Sequence, residues 1–326
     1  MFESENYPII HSLDVDTLAS GQHHFWFRAA TNAMGMAIQL PVVVIKAEAP
    51  GPKVMITAGV HGDELNGVLT SHELIRRLPE KLTAGTVTIV PSINPSGVLR
   101  HSRDFHSSDP DSSSANLNRF FPGNAEGDAA NRYLHTIWTQ LLKRNADIAI
   151  DLHTQTQGAT YPLYVFADFR LEQSLLMARL IEPDVILNDP GDSGVLETVW
   201  NNSGVPCITV EVGMGKITQP ELIQRTVEGV QRILTQQGVV EGEMPKVVKC
   251  DIEGEEIISV RATQGGFVVP TVNLLERVNQ GQLLAKQYDS FGRFMCDYCA
   301  PEAGTVLSYN VDSLREPGGL VVRLIR

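Results

Sequence analysis

The chain has no surplus of positive charge to offer a phosphate backbone. Its 26 Lys and Arg are outnumbered by 38 Asp and Glu, a formal net charge of −12, and the basic residues are scattered along the sequence. Phosphate binding needs them clustered, so nucleic acid is not expected as a partner. Long apolar runs are missing too: no stretch approaches the roughly 20 residues that a membrane span requires, so no membrane role is expected. The segment Met1–Asn6 is acidic and is followed by no apolar h-region, which gives no sign of a secretory leader. Cysteine is scarce. Residues 207, 250, 296 and 299 are too few to form a disulfide framework in 326 residues. Cys296-Asp297-Tyr298-Cys299 is a solitary CxxC with no second pair of metal-ligand spacing, and incidental thiols are expected there rather than a second metal site or a redox pair. A cytoplasmic protein is the expectation.

What is present is ordinary in bulk and specific in detail. A hydrophobic content of 43% with 20% charged residues suits a soluble globular protein, and the length suits roughly two domains. Between residues 53 and 235, short β-branched runs alternate with helical patterns, which predicts a mixed, mostly parallel sheet flanked by helices. The runs 54–60, 86–91, 148–152 and 206–212 read as strands, while Leu65–Leu82 and Asn131–Arg144 read as helices. Phe25-Trp26-Phe27 and Gln39–Ile45 look like extra strands at the sheet edge. Composition shifts near Gln236-Gln237-Gly238, beyond which Gly, Val and turn residues dominate. The expected division is a catalytic α/β domain over residues 1–240 and a small all-β domain over 245–326. Ser107–Asn116 is a polar, Ser-rich loop, either a mobile lid or a plain surface loop.

Three short strings carry the chemistry: His61-Gly62-Asp63-Glu64, Asp151-Leu152-His153 and Thr209-Val210-Glu211-Val212-Gly213. The first two supply two imidazoles and a carboxylate, a three-ligand set that leaves zinc a fourth position for water. The third supplies a further carboxylate able to carry that water's proton. His61 directly follows one strand, His153 ends another and Glu211 ends a third, and open α/β sheets bind ligands outside the carboxyl ends of their strands. Gly59 and Gly62 flank the first histidine, where a sharp strand-to-helix turn needs them. Asp151 shares a strand face with His153, and either fixes the tautomer of an imidazole or caps nearby backbone. A lone HxxE is common, and a lone buried His is ordinarily just hydrogen-bonded; an ionised carboxylate in an apolar strand is the unusual member. The donor set favours one Zn2+ per chain, with another divalent ion as the alternative. Arg103 and Arg119 are the candidate partners for the oxyanion that forms during hydrolysis.

These strings, with Asn94-Pro95 and Asn116-Leu-Asn-Arg119-Phe-Phe-Pro-Gly123, resemble in order the succinylglutamate desuccinylase/aspartoacylase family, part of the wider M14-like zinc carboxypeptidase superfamily. The resemblance covers roughly residues 40 to 235. It implies His61, Glu64 and His153 as zinc ligands, Glu211 as catalytic base, Arg103 as the group polarising the scissile carbonyl, and Asn118 and Arg119 as the grip on a substrate carboxylate. For the remaining carboxylate-binding arginine, Arg170 is the nearest candidate. The overall look is closer to deacetylases of N-acetylated diamino acids than to aspartoacylase proper.

The tail resembles a barrel-sandwich, biotinyl/lipoyl-like domain through Gly265–Pro270, Gly281–Leu284 and Ala300–Val306. The hairpin Tyr288–Arg293 has no lysine at its tip, and Lys286 lies outside it, so a cofactor-carrying arm is not expected. A domain that packs over the site, or one that joins copies into a homo-oligomer, is. The expected function is removal of an acetyl- or succinyl-type acyl group from a small N-acyl amino acid. A zinc carboxypeptidase or peptide amidase is the alternative, and would need an open groove. A catalytically silent metal-binding protein is the third reading, against which the completeness of the acid–base and metal set weighs.

Overall fold

The computed structural model describes residues 7–326; Met1–Asn6, read above for a leader, lie outside the described residues. One ten-stranded sheet organises the first two thirds of the chain. Its strands in chain order are β1 (Ile9–Ile10), β2 (Gly21–Thr31), β3 (Ala37–Lys46), β4 (Ala49–Ala58), β5 (Ala84–Val90), β6 (Ile148–Gln155), β8 (Leu163–Ala167), β9 (Val185–Asn188), β10 (Cys207–Met214) and β11 (Glu253–Gly254); the short β7 (Ala159–Thr160) belongs to another sheet. The order across the sheet is β1-β2-β3-β5-β4-β6-β10-β8-β9-β11. Parallel pairing holds at the centre, where β5, β4, β6 and β10 run together; β2, β3 and β8 introduce the antiparallel steps. The central strands are buried along nearly their whole length, as expected of strands covered by helices on both faces. β2 and β3 lie toward one edge, as their sequences suggested.

Helices cover the two faces. α1 (Leu65–Arg77), α4 (Glu172–Ile181) and α6 (Pro220–Gln236) pack over one core with Ile56, Ile150 and Val210. α3 (Ala129–Ile137), which follows the short α2 (Pro95–Arg100) and is continued by a π turn over Trp138–Leu142, packs over the other with Val90, Ala149 and Trp200. Two predicted bounds need correction. α1 stops at Arg77 rather than Leu82: Leu78 caps it, and Pro79 has no N–H with which to continue the helical hydrogen bonds. The second helix begins at Ala129 rather than Asn131, with the Asp128 carboxylate accepting from Asn131 N and serving as its cap.

Past residue 255 the chain forms two antiparallel sheets around a separate apolar cluster that includes Val268, Leu284, Val306 and Leu324. One sheet holds Ile257–Arg261, Leu320–Ile325, Gly304–Asn310 and Arg277–Val278; the other holds Phe294–Cys299, Leu283–Tyr288, Gly266–Pro270 and Leu314–Arg315. The tail is stitched to the large sheet in both directions. β7 pairs with Gly304–Asn310, joining Thr160 to Tyr309, while β11 pairs with β9. Tyr161, Tyr164, Leu307 and Ile325 bury their side chains in a shared cluster. The hairpin between Leu283–Tyr288 and Phe294–Cys299 turns at 289–293, and Lys286 lies in its strand opposite Asp297. Cys296 and Cys299 are unbonded thiols three apart on one strand, so they point to opposite faces. Among the described residues, no helix is long and apolar enough to cross a membrane.

Candidate metal centre

His61 and Glu64 come from the tight turn between β4 and α1. Gly59 adopts a positive φ of 64° there, and Gly62 packs so closely on Gly97 that a Cβ would fall 2.0 Å from the Gly97 carbonyl carbon. A side chain at Gly62 would force backbone to move, and one at Gly59 would be strained in its left-handed conformation. His153 and Asp151 project from the same face of β6, and Thr209 and Glu211 from the neighbouring β10, where Glu211 pairs with His153 in register. β10 then loses register with β6 between Glu211 and Met214, an irregularity of the kind that re-aims side chains beside active sites.

The donor atoms converge. His61 Nδ1 lies 2.9 Å from Glu64 Oε1, His153 Nδ1 lies 2.9 Å from Glu64 Oε2, and the two Nδ1 atoms are 3.2 Å apart. Ligands about 2.1 Å from a tetrahedral ion stand about 3.4 Å from each other, close to this spacing. The outer ring nitrogens are both occupied by oxygen acceptors. His61 Nε2 lies 2.9 Å from Asn116 Oδ1, and His153 Nε2 lies 2.7 Å from Asp151 Oδ2. Thr57 Oγ1 donates to Asp151 Oδ1 at 2.6 Å. With protons on the outer nitrogens, both inner lone pairs face one point, the arrangement that orients histidine ligands in metal sites. The residues fit a divalent ion bound by two nitrogens and a carboxylate. They are buried, and the three donors lie within 4.8 Å of one another.

Electrostatics point the same way. Burial pushes the Glu64 carboxyl up, but the charge of His61 and hydrogen bonds from both histidines outweigh it and hold the group well below the ordinary range. Burial pushes the His153 imidazole down, but the Asp151 and Glu64 carboxylates outweigh it and hold its proton tightly. A pocket that grips a proton among these atoms will also grip a cation. Glu211 behaves in the opposite way: burial, then the Glu64 charge, pushes it up to about 8. It is 7% exposed, and its Oε2 has no hydrogen-bond partner.

The other sequence candidates fall around the same cavity of about 330 Å³, with one exception. Arg103 donates from Nη1 to Glu64 Oε1 at 2.5 Å. Asn118 accepts from Leu196 N at 2.8 Å, which anchors the start of α5 (Leu196–Asn202), and Arg119 donates to the Asn118 carbonyl at 2.6 Å. Arg170 is the exception. Its side chain is 68% exposed, pairs with Asp168 and does not line the cavity. The Ser107–Asn116 loop is held at its base by a bridge between Phe105 and Ala115, just before Asn116 reaches His61.

Several lining residues escaped the sequence reading. Arg323, from the last strand of the tail, donates from Nη1 to Tyr161 Oη at 2.8 Å, while its buried Nε has no partner. Asp189 and Asp192, from the segment between β9 and α5, and Glu197, from the first turn of α5, line the cavity. That segment is locked to the Arg119 turn by Gly194, whose Cβ would collide with the Arg119 carbonyl at 2.1 Å. Asp189 follows the carboxyl end of a strand, so the rule that singled out His153 could have found it. Arg323 has no comparable local signal.

Comparison with known proteins follows the geometry. Residues 50–236 match the succinylglutamate desuccinylase/aspartoacylase catalytic domain. An N-alpha-acetyl-L-2,4-diaminobutyric acid deacetylase of Halomonas elongata is 31% identical over 294 residues, 85% of this chain and 83% of that protein. A succinylglutamate desuccinylase of Pseudomonas aeruginosa is 26% identical over 196 residues, 54% of this chain and 55% of that one. The product-bound ectoine utilization protein EutE (DoeB) of Ruegeria pomeroyi has the same fold, with a TM-score of 0.82 at 23% identity, covering 94% of this chain and 96% of its own.

Proposed function

The chain belongs to the succinylglutamate desuccinylase/aspartoacylase family and is an amide-hydrolysing enzyme; from that premise we propose that it is a zinc-dependent deacylase that frees a small amino acid from its N-acetyl or N-succinyl form. The observation that carries this reading is the pairing of a convergent two-histidine, one-carboxylate donor set with a buried, unpartnered carboxylate oxygen on the adjacent strand. One Zn2+ held by His61, Glu64 and His153 would supply Lewis-acid polarisation and a water whose pKa falls to about 7.

The protein groups do the rest. Asp151 and Asn116 hold the imidazoles in one tautomer through their outer nitrogens. Glu211, raised by burial, suits the role of taking the water's proton and returning it to the leaving nitrogen, since a general base works best with a pKa near the operating pH. Arg103 reaches the cavity beside Glu64 and would donate to the acyl oxygen as negative charge builds there. Asn118, Arg119 and Arg323 would present donors to the amino acid's carboxylate.

The size of the cavity favours an acylated amino acid over a peptide, because the tail strand carrying Arg323 contributes to its wall where a peptidase would need a groove. We assign residues 1–240 to the catalytic unit and 245–326 to the β unit that completes the cavity, in a cytoplasmic protein. The test is amine release from a panel of N-acetyl and N-succinyl amino acids and blocked dipeptides, before and after chelation and zinc restoration. Release from acyl amino acids that is lost and restored with the metal is expected. Preferential cleavage of the dipeptides would move the assignment to a peptidase, and no release with zinc bound would move it to a silent metal-binding protein.

A further inference from the structure

The two sheets of the tail face different surroundings. The sheet that carries Arg323 pairs with β7 and contributes to the cavity wall. The other is built from Leu314–Arg315, Gly266–Pro270, Leu283–Tyr288 and Phe294–Cys299, and turns its inner face onto the cluster that holds Val268, Leu284 and Tyr298. Its outer face is apolar along one line. Phe267 lies in register with Leu314 on one side and with Tyr288 on the other, and Tyr288 lies in register with Phe294. Side chains directly opposite each other on adjacent strands share a face, so Leu314, Phe267, Tyr288 and Phe294 form an unbroken row across all four strands. Val269, two residues along from Phe267, joins it on the same face, and Phe291 extends it at the hairpin tip.

Tyr288 is half-buried, and the other five are between 42% and 81% exposed. Their combined open surface is roughly 500 Å² per copy, on the scale of the 150–250 Å² that a whole aromatic side chain presents. Contiguous apolar patches of this size, rimmed by polar residues, mark interaction sites on soluble proteins. Two such faces packed together would bury about 1,000 Å², where stable interfaces begin. The row is ordered within the chain: the Tyr288 and Phe294 rings meet edge to face with centroids 6.3 Å apart, and the Arg293 guanidinium sits 5.2 Å from the centre of the Phe291 ring.

The charged rim identifies the partner. Lys286 precedes the row on one hairpin strand and Asp289 follows it; Arg293 precedes it on the other and Asp297 follows. The two strands are antiparallel, with Lys286 opposite Asp297, so each side of the row carries one charge of each sign. Among the described residues, none of the four forms an ion pair. We infer that this face joins two copies of the chain, face to face about a two-fold axis that runs along the row. That rotation lays each strand over its counterpart in the reverse direction. Lys286 then meets Asp289 of the second copy, Asp297 meets Arg293 of the second copy, and the apolar row packs against itself, as an isologous interface requires. A lipid surface would call for a rim of positive charge, which neither this rim nor a net charge of −12 supplies. No residue of the row lines the catalytic cavity, so the assembly is independent of the deacylase reading.

The test is sedimentation velocity on the full chain over a range of concentrations. A dimer that dissociates on dilution is expected. Phe267→Asp and Phe294→Asp, each at an exposed position, should weaken it by about tenfold or more by burying an unpaired charge, with circular dichroism unchanged. Asp297→Arg sets like charges across the axis and should weaken it by about tenfold. Arg293→Asp should do the same, and the double variant, which exchanges the two signs, should restore association to the wild-type level. A chain that is monomeric at every concentration, a dimer that survives both Phe substitutions, or a double variant no tighter than the single ones would each overturn the proposal. Binding of a monomeric chain to mixed phosphatidylserine–phosphatidylcholine vesicles, lost in Phe294→Asp, would overturn it as well and give the face to a membrane surface.

Discussion

Around His61, Glu64 and His153 the inner and outer ring nitrogens of both histidines and both Glu64 oxygens have partners, whereas nearby Glu211 Oε2 and Arg323 Nε have none. The first region is a self-consistent network on the ends of β4, β6 and the turn into α1. The second gathers residues from β10, the segment after β9 and the tail. The contrast separates two kinds of site. A saturated cluster of donors holds its shape before a metal arrives, while open polar atoms mark where a substrate must complete the structure. Substitutions in the first region should therefore change metal content, and those in the second should change substrate kinetics at constant metal.

The largest effect should come from removing a ligand. His153→Ala should lose both stoichiometric zinc and activity, by at least the 10²- to 10⁴-fold typical of a lost acid–base group, with circular dichroism unchanged; zinc retained at full occupancy would break the division. Next is Asp151→Asn, which leaves the ligands and weakens what orients His153. A loss of about 10- to 100-fold in metal affinity is expected, measured by competition with a chelating dye. Arg323→Ala should leave metal affinity unchanged and raise KM about tenfold, with Arg323→Lys recovering part of the loss. A change in zinc stoichiometry in that variant would show that the two regions are not separable.

The smallest effect concerns pH. Burial, then the surrounding carboxylates, pushes the Glu197 carboxyl well above its ordinary value of 4.5. Its folded form thus keeps a proton that the unfolded chain releases, and this group's contribution to stability, complete below about pH 4.5, declines as pH rises toward its folded value. Glu197→Gln should be nearly neutral at pH 5 and should raise Tm relative to the wild type at pH 8. Parallel Tm profiles for the two proteins across that range would rule the effect out.

Much of the first region was legible because its residues are local to their elements. A β-branched run ending in Asp151-Leu-His153 announces both a buried strand and a histidine at its carboxyl end, and Gly59 and Gly62 mark the turn that presents His61. The mixed sheet, its edge strands and the β-rich tail follow from the same kind of pattern. The second region was only partly legible. Glu211 stood out as a carboxylate in an apolar strand, but Arg170 was the nearest candidate for the remaining carboxylate-binding arginine and Arg323 was not singled out. Arg170 sits in the catalytic segment and is spent on Asp168, whereas Arg323 enters the cavity because β7 pairs with Gly304–Asn310 and the tail docks through Tyr161. Pairings between residues about 150 positions apart leave no local trace in the pattern. Asn116 was quoted for its motif, yet its hold on His61 depends on the fold of the loop that ends there.

The most direct test of the account compares wild type with Glu211→Gln, measuring zinc per chain and amine release from the best acyl amino acid in the same preparations. The account predicts one zinc in both and a kcat lower by about 10²- to 10⁴-fold in the variant. Activity within a few-fold of wild type, at full zinc occupancy, would contradict it.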